Sequence, residues 1–393
     1  MSEYKEKILI VTAKWPFESN STDGGDATLK EILKAVQGEF TVDLFCFRND
    51  QGKANTMEGV RQVMIYQDDF AVFKNYAKHD KEKFRIRLRQ AKVAAKQIKK
   101  IGDNYDLIVV QHMMFLLEMG KEAELLRSKV VLYPMFTGTS YVMSGEKVPS
   151  RYMKKEKTVL RKVGLIITPS DLEKEKLITQ YNVSPSHIKV IPRTVRFSYS
   201  SRVCKPREKV HLVYIAAVRL QKNHLLAMRL VRELLRKKIN VVLNCIGAIQ
   251  DTKIYEECND YIKKNNMEGH VVFHGNKPFM EVEKIVAQCD INISVSNWET
   301  FGRGIYEGMV VGLPTIILEK LECIKMATCI GIYPCIVKDI FDMAKTIERL
   351  ICDNEFYQLE SVKGERLQVV LDENRIYQMV CKSYKEFIDN GKI

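Results

Sequence analysis

The chain has 393 residues, of which 46% are hydrophobic and 28% charged, so it is long enough for two domains and too apolar for wholesale disorder. Its 62 basic and 49 acidic residues give a formal net charge of +13, and the sequence has no unbroken apolar run of the roughly 20 residues that a membrane span needs. The first residues lack the features of a signal peptide, and the ten cysteines form no CxxC pair, so we expect a cytoplasmic protein with reduced thiols.

Apolar runs of strand length alternate with helical patterns through the first half of the chain. The predicted strands are ILIVTA (8–13), VDLFCF (42–47), VMIY (63–66), LIVVQ (107–111), VVLYPM (130–135), GLIITPS (164–170) and IKVIP (188–192). Helical periodicity predicts helices at about 25–37, 82–101, 115–126, 150–162 and 171–179. The strands are apolar throughout rather than alternating, which is typical of a parallel sheet covered on both faces.

A polar, proline-bracketed stretch at 192–210 interrupts this pattern and is predicted to link two domains. The strands predicted after it lie at 211–217, 240–247, 270–275, 291–296, 314–318 and 331–337. The helices predicted there lie at about 224–236, 251–265, 279–288, 303–311, 340–352 and 374–390. We therefore expect an α/β protein with a doubly wound domain at 1–195, a second at 196–372 and a final helical segment at 373–393 that returns to the first domain. Ligands in such folds bind at the carboxyl ends of the strands, here in a cleft between the domains.

The segment KEKFRIRLRQAKVAAKQIKK (81–100) is strongly basic, with nine Lys or Arg residues against one Glu. A narrow apolar stripe recurs along it at helical spacing and consists of Phe84, Leu88, Ala91, Ala95 and Ile98. Such a helix suits an anionic membrane surface, which would place the protein peripherally on the inner face of the membrane. The alternative is a solvated basic face packed on the core by that stripe. Nucleic acid is not an expected partner, because the segment lacks interleaved stacking aromatics.

The stretch SNWETFGRGIYEGMVVGLP places two glutamates on either side of glycines, where a strand is predicted to pass into a helix. Helix N-termini present unpaired amides and a positive dipole end, and Gly302 and Gly304 let the backbone approach a ligand closely. Glu299 precedes the helix and Glu307 lies about one turn inside it. Two separated carboxylates can each bind a vicinal diol, as in a nucleotide-sugar with its two hydroxylated rings. A capped helix with Glu307 on its surface is the alternative.

The same stretch resembles the E-x7-E signature of retaining glycosyltransferases of the GT-B fold, family 4 type, including its EGM…GLP continuation. Other segments resemble the family in order along nearly the whole chain: ILIVTAKWPF…DGGDATLKEIL, LIVVQHMM, LIITPSDLEKEKLITQYNVSPSHIKVIP and VVFHGNKPFMEVEKIVAQCDINISVS. The resemblance implies two Rossmann-like domains facing each other across a cleft. It also implies a nucleotide-sugar donor.

The resemblance assigns roles to the residues around this signature. It implies that Glu299 contacts the donor sugar near the reacting face, with the amides of Phe301 and Gly302 beside it, and that Glu307 holds the nucleotide ribose. Thr300 lies between these donor contacts and is counted among the donor-binding residues. These roles are expectations for the structure.

A second set of roles concerns the diphosphate. In AAVRLQKNH, Arg219 and Lys222 resemble the basic pair that neutralises the leaving diphosphate in the family. The family usually spaces that pair by four residues, whereas Arg219 and Lys222 have two residues between them and Ala217 can occupy the usual arginine position. Lys222 is therefore the stronger prediction of the two, and a solvated loop residue is the alternative for Arg219.

Three further positions follow from the resemblance. Gly24 and Gly25 precede a predicted helix and are expected to pass close to the donor phosphates or the acceptor, the alternative being an ordinary turn. His112 follows a buried strand where the family places a donor-sugar contact, the alternative being a core histidine. VIPRTVRF (190–197) stands where the family usually has VIPNGVD, and we expect this change to alter the interdomain corner without touching the chemistry.

The predicted function is transfer of a hexose-type sugar from a nucleoside diphosphate, UDP by preference, to an acceptor hydroxyl with retention. The acceptor is expected to be a lipid-linked glycan in surface polysaccharide assembly, or otherwise a protein. No metal or other cofactor is expected, because the Asp-x-Asp of metal-dependent glycosyltransferases is missing and only Asp68-Asp69 follows a strand. Two alternatives stay open: a non-catalytic partner subunit of a protein glycosyltransferase, and a nucleotide-sugar epimerase on the same fold.

Overall fold

The structure is a computed structural model that describes residues 5–12, 24–48, 58–67, 80–201 and 209–391. The predicted strand residue Ala13 and the Asp68-Asp69 pair lie outside these ranges. So does the middle of the predicted linker, 202–208.

In the described ranges, the first sheet has seven strands in the order β3-β2-β1-β4-β5-β6-β7, all paired in parallel. Its strands are β1 (Lys7–Thr12), β2 (Thr41–Arg48), β3 (Gln62–Gln67), β4 (Leu107–Gln111), β5 (Val130–Tyr133), β6 (Leu165–Thr168) and β7 (Ile188–Val190). Residues such as Ile8, Leu9 and Val109 are fully buried because helices cover both faces of the sheet. The strands predicted from the sequence for this domain are all present.

The helices of the first domain are α1 (Gly24–Val36), α2 (Asp80–Ile101), α3 (Ala123–Lys129), α4 (Gly138–Met143), α5 (Ser150–Leu160) and α6 (Asp171–Tyr181). The helix predicted at 115–126 is wrong: a short 3-10 helix occupies Met113–Leu116, and α3 begins only at Ala123. The apolar residues at its start are buried on every side rather than on one face, so they pack equally well in a tight turn. Gly120, a poor helix former, lies in the turn that follows.

Over residues 209–391, the second sheet has six strands in the order β10-β9-β8-β11-β12-β13, again parallel. They are β8 (Val210–Ile215), β9 (Val241–Ile246), β10 (Val271–Gly275), β11 (Ile291–Ser294), β12 (Thr315–Leu318) and β13 (Cys335–Val337). The strand predicted at 331–337 begins only at Cys335: Gly331 takes a left-handed conformation, with φ of 66°, and Pro334 has no backbone N–H for pairing. In both sheets the strand order reverses beside the first strand of the domain, which is the doubly wound arrangement.

The helices after the linker are α7 (His224–Arg236), α8 (Thr252–Lys264), α9 (Phe279–Ala287), α10 (Arg303–Val310), α11 (Glu322–Lys325), α12 (Ile340–Cys352), α13 (Asn354–Ser361), α14 (Lys363–Val370) and α15 (Glu373–Gly391). Four short helices were not predicted: α4, α11, α13 and α14. The last helix, α15, packs against α1 and α3 of the first domain. Its Tyr384 is buried and its hydroxyl lies 2.9 Å from that of Tyr133.

Helix α2 carries the basic segment predicted at 81–100. Of the predicted stripe, Phe84, Ala91, Ala95 and Ile98 are buried in the core of the first domain, and Leu88 is half-buried against it. From Phe84 onwards, the exposed residues of the helix are Arg85, Arg89, Lys92, Lys96, Lys99 and Lys100, all of them basic. The stripe therefore anchors the helix to its own domain, and the face that this part of the helix exposes is basic.

Within the described ranges, none of the helices combines the length and the apolar character that a membrane crossing requires.

Candidate functional site

The site is built around the first turn of α10. Strand β11 ends at Ser294, the chain crosses in a loop, and Gly302 caps α10 with φ of 82°, a conformation that favours glycine. Two residues later, an added Cβ at Gly304 would lie 2.3 Å from the carbonyl oxygen of Ile215 at the end of β8. The glycines therefore let the N-terminus of α10 sit directly against the carboxyl end of β8, where ligands bind in such sheets.

The structure brings Glu299 and Lys222 together at this point. Lys222 Nζ lies 2.5 Å from Glu299 Oε1, and the two side chains are only 14% and 10% exposed. Lys222 ends a short 3-10 helix, Leu220–Lys222, that follows β8. The partly buried carboxylate can accept hydrogen bonds from hydroxyl groups. The ammonium group fixed beside it can stabilise the negative charge of a departing anion at the same place.

Backbone and side-chain hydrogen bonds join the two loops that carry this pair. Gln221 Nε2 donates to the carbonyl oxygen of Trp298 at 2.8 Å, and the amide of Asn297 donates to the carbonyl oxygen of Gln221 at 2.8 Å. The hydroxyl of Tyr214 donates to the carbonyl oxygen of Lys222 at 2.6 Å. The position of Lys222 relative to Glu299 is therefore set by the backbone as well as by their own contact.

His224 begins α7 just after this loop and is fully buried. Burial, followed by the nearby charge of Lys222, lowers its pKa to about 4. The imidazole is therefore neutral at pH 7 and adds no positive charge beside Lys222.

Glu307 lies one turn inside α10, with its side chain 4% exposed. Its Oε1 accepts from Nη2 and Nε of Arg196 at 3.3 and 3.4 Å. Arg196 belongs to the corner 190–197 that we expected to lie apart from the chemistry. The structure instead places that corner against the predicted ribose-binding glutamate.

A second buried ionic cluster joins α10 to the first domain. Arg303 Nη2 lies 2.7 Å from Oε1 of Glu31 on α1, and Arg303 Nη1 donates to the carbonyl oxygen of Thr194 at 3.1 Å. The Thr194 hydroxyl also donates to Glu31 Oε1, at 2.7 Å, and Arg193 approaches Oε2 within 4.0 Å. Burial lowers the pKa of Arg303, but the charges of Glu31 and Glu307 outweigh it and the net shift is upward.

Further contacts attach the loop that carries Glu299 to the first domain. The Ser170 hydroxyl donates to the carbonyl oxygen of Thr300 at 2.6 Å, and the rings of Phe136 and Trp298 meet edge to face at 5.9 Å. The side chain of Phe301 is buried in the second domain, so its predicted donor contact would come from its backbone amide. The loop is thus fixed from both domains.

The remaining predicted residues take the following positions. Arg219 opens the turn that ends at Lys222 and is half-buried. Gly24 and Gly25 begin α1, and the carbonyl oxygen of Gly25 accepts from Gln111 Nε2 at 2.6 Å, beside the end of β4. His112 directly follows β4 with φ of 102°.

His112 is held by hydrogen bonds on both ring nitrogens. Its Nδ1 accepts from the amide of Met114 at 3.2 Å, and its Nε2 lies 3.2 Å from the Tyr141 hydroxyl. An Nδ1 that accepts leaves the proton of a neutral imidazole on Nε2. The Nε2 proton therefore faces the Tyr141 hydroxyl, and a contact of His112 with a donor sugar would replace this hydrogen bond.

Sequence reasoning missed Arg303, which lies on α10 itself, and it missed Arg196, Glu31 and Ser170, which the fold brings to the site from distant segments. In the part of the chain that the structure describes, no group of three or more His, Cys, Asp or Glu side chains is arranged to hold a metal ion.

Two family models match the sequence. Residues 22–199 match the model Glycosyltransferase Family 4, and residues 198–358 match the model Glycosyl transferases group 1. Among curated proteins, none matches the sequence significantly. The two models together account for both domains and for every site residue named above.

Solved structures show the same fold at low sequence identity. Sucrose-phosphate synthase from Thermosynechococcus elongatus superposes with a TM-score of 0.79 at 14% identity, covering 98% of this chain and 100% of that one. Anabaena HepE in complex with UDP and glucose gives 0.69 at 17% identity, covering 97% and 100%. WaaG, a glycosyltransferase involved in lipopolysaccharide biosynthesis, gives 0.67 at 12% identity, covering 97% and 99%. With both halves matched by these models and both sheets arranged as in these structures, the chain belongs to the GT-B glycosyltransferases of family 4 type.

Proposed function

We propose that this enzyme transfers a hexose-type sugar from a nucleoside diphosphate, with UDP preferred, to an acceptor hydroxyl with retention of configuration. The observation that carries the proposal is the contact between Lys222 and Glu299 at the N-terminus of α10, with Glu307 one turn further along. This arrangement offers a sugar-binding carboxylate, a cation for the diphosphate and a ribose-binding carboxylate around the first turns of one helix. Similar structures with UDP and glucose, and with UDP-glucose, support the choice of donor class.

In the proposed reaction, the bond between the anomeric carbon and the β-phosphate oxygen breaks while the acceptor oxygen attacks the same face. The acceptor proton passes to the departing phosphate oxygen. Lys222 and the amides of Phe301 and Gly302 stabilise the negative charge that develops on the diphosphate, and Glu299 and His112 orient the sugar. No metal takes part in this proposal, because protein cations and amides supply the stabilising charge.

Closure of the two domains over the donor is expected to exclude water that would otherwise hydrolyse it. Gly24 and Gly25, at the start of α1, are proposed to pass beside the donor phosphates or the acceptor. Arg219 is proposed as a further phosphate contact in the turn before Lys222.

A panel of nucleotide-sugars tests the function directly. The purified chain is incubated with UDP-, GDP- and ADP-linked hexoses, and the released nucleoside diphosphate is measured with and without a lipid-linked glycan acceptor. We expect acceptor-dependent release from one donor, with the sugar found on the acceptor in the retained configuration. An epimerised donor without transfer would favour the epimerase alternative, and no turnover with any donor would favour the non-catalytic subunit.

Glu307→Ala is expected to weaken donor binding about 10-fold or more, because the ribose diol loses its acceptor in a site where Glu307 is nearly buried. The dissociation constant of the donor is measured by isothermal titration. The matched control is Glu319→Ala, an exposed glutamate that follows β12 in the same domain. Wild-type donor affinity in the Glu307 variant would show that the ribose binds elsewhere.

We further propose that the exposed basic face of α2 docks on an anionic membrane surface, which would bring the enzyme to a lipid-linked glycan. WaaG, which is similar in fold, is a glycosyltransferase of lipopolysaccharide biosynthesis, and this supports an acceptor of that class. Because the apolar stripe of α2 is buried, the attraction is expected to be electrostatic and to weaken as salt rises.

Vesicle sedimentation tests this docking surface. We expect binding to phosphatidylglycerol-containing vesicles at low salt and release at about 0.5 M salt, where charges are strongly screened. Replacing Arg85, Arg89, Lys92 and Lys96 together by glutamine should abolish binding, whereas the same change at Lys237, Lys253, Lys263 and Lys264 of the second domain should not. Equal retention on purely phosphatidylcholine vesicles would contradict the electrostatic account.

A further inference from the structure

Arg196 occupies an unusual position for a residue of the interdomain corner. Its guanidinium lies against Glu307 and also over the ring of Phe279, 4.8 Å from the ring centroid. Phe279 is stacked in turn on Phe197, with centroids 5.0 Å apart. The planar cation is therefore held in a fixed orientation beside the carboxylate that is proposed to bind the ribose.

The hydrogen bonding of Arg196 leaves donor capacity for a ligand. Both of its contacts with Glu307 are long, at 3.3 and 3.4 Å, and both go to the same oxygen, Oε1. Among the described residues, Nη1 of Arg196 makes no hydrogen bond, and the side chain is 31% exposed. Arg303, only 17% exposed, instead has Nη1 and Nη2 bonded to Thr194 and Glu31. Among the described residues, Arg196 therefore keeps an N–H group for a ligand, whereas both terminal nitrogens of Arg303 on α10 are bonded.

The charge of the proposed donor calls for a second cation near the ribose. A nucleoside diphosphate carries at least two negative charges, and the site already contains the carboxylates of Glu299 and Glu307. Lys222 is committed to the Glu299 end, where its Nζ lies 2.5 Å from that carboxylate. At the other end, Arg196 is, among the described residues, the cation in contact with Glu307. A guanidinium is well suited to bridge a carboxylate and a phosphate, because its N–H groups form a rigid fork.

We propose that Arg196 is a donor-binding residue that contacts the phosphate next to the ribose, supplying a cation there in addition to Lys222 and Arg219 at the other end of the site. This inference rests on the proposed function, since it assigns a phosphate contact to the same donor site. It also gives a role to the corner sequence PRTVRF, which connects the two domains. A phosphate contact from this corner would couple occupancy of the donor site to the interdomain geometry.

The test compares ligands that differ only in phosphate number. Dissociation constants of UDP, UMP and uridine are measured by isothermal titration for the wild type, Arg196→Gln and Arg196→Lys. If the donor panel selects another base, its own diphosphate, monophosphate and nucleoside are used. The matched control is Arg349→Gln, because Arg349 also lies over a ring, that of Phe356 at 3.9 Å, and pairs with Asp353, but belongs to α12 outside the site.

We expect Arg196→Gln to weaken UDP and UMP at least 10-fold while uridine changes less than 2-fold, with Arg196→Lys restoring only part of the lost affinity, because lysine keeps the charge but not the planar fork. The same loss of UMP affinity should persist when Glu307 is replaced by Gln, since the phosphate contact does not pass through that residue. A similar loss for all three ligands would show that Arg196 acts only by holding Glu307, and unchanged affinities would remove it from the donor site. If instead the proposed function is wrong, the wild type itself binds no nucleoside diphosphate, and this outcome is distinct from both results.

Discussion

Replacing Lys222 by alanine is expected to lower kcat by about 10²–10³-fold while changing donor affinity much less. In the proposed reaction, negative charge grows on the diphosphate as the bond to the sugar breaks, so a cation fixed at that end acts mainly on the transition state. Lys222 is fixed there by its 2.5 Å contact with Glu299 and by the hydrogen bond from Tyr214 to its backbone carbonyl. Single-turnover rates at saturating donor separate this effect from binding.

The matched control for Lys222 is Lys320, whose Nζ donates to Asn297 Oδ1 at 2.9 Å in the same crossing loop as Glu299. Lys320→Ala removes a lysine contact with this loop but no cation from Glu299, so we expect kcat to fall less than about threefold. Lys222→Arg should retain part of the activity because the charge is kept at a similar position. A Lys222→Ala enzyme with normal kcat and weakened donor binding would show that the lysine contributes only to ground-state affinity.

The strands, the two-domain organisation and the position of α10 could be predicted because each depends on local sequence. Continuous apolar runs specify buried parallel strands whatever their neighbours are, and Gly302 and Gly304 mark the close approach at the start of α10. The helix predicted at 115–126 failed because its apolar residues, such as Phe115 and Leu116, are buried on all sides and carry no periodicity that distinguishes an α-helix from a tight turn.

Contacts between distant segments set the rest of the site, and a single sequence does not reveal them. Arg196 and Glu307 are 111 positions apart, and Arg303 and Glu31 are 272 apart. The two glutamates and Lys222 could be found from the motifs in which they lie. The contacts of Arg196 with Glu307 and of Arg303 with Glu31 depend on how the two domains meet. The assignment of catalytic and donor-binding roles to these residues stays a prediction for the variants described above.

Replacing Glu31 by alanine is expected to lower the free energy of unfolding by about 3–5 kcal/mol, the usual cost of leaving a buried charge without its partner. Glu31 is 7% exposed and contacts Arg303, Arg193 and the Thr194 hydroxyl, so its loss deprives two largely buried guanidinium groups of the carboxylate that they share. Burial already lowers the pKa of Arg193, and the charge of Glu31 opposes that shift. The measurement is urea unfolding followed by circular dichroism.

A double-mutant cycle distinguishes the ionic contact from a general packing defect. In Glu31→Ala combined with Arg303→Met, part of the lost stability should return, because the uncompensated cation is also removed. The control is Glu348→Ala, which breaks the exposed pair with Lys237 on the surface of the second domain and should cost no more than about 1 kcal/mol. Since Arg303 also fixes the first turn of α10, Glu31→Ala is expected to weaken donor binding at temperatures where the variant is fully folded. Stability and donor affinity equal to those of the Glu348 variant would show that this cluster neither holds the domains together nor positions α10.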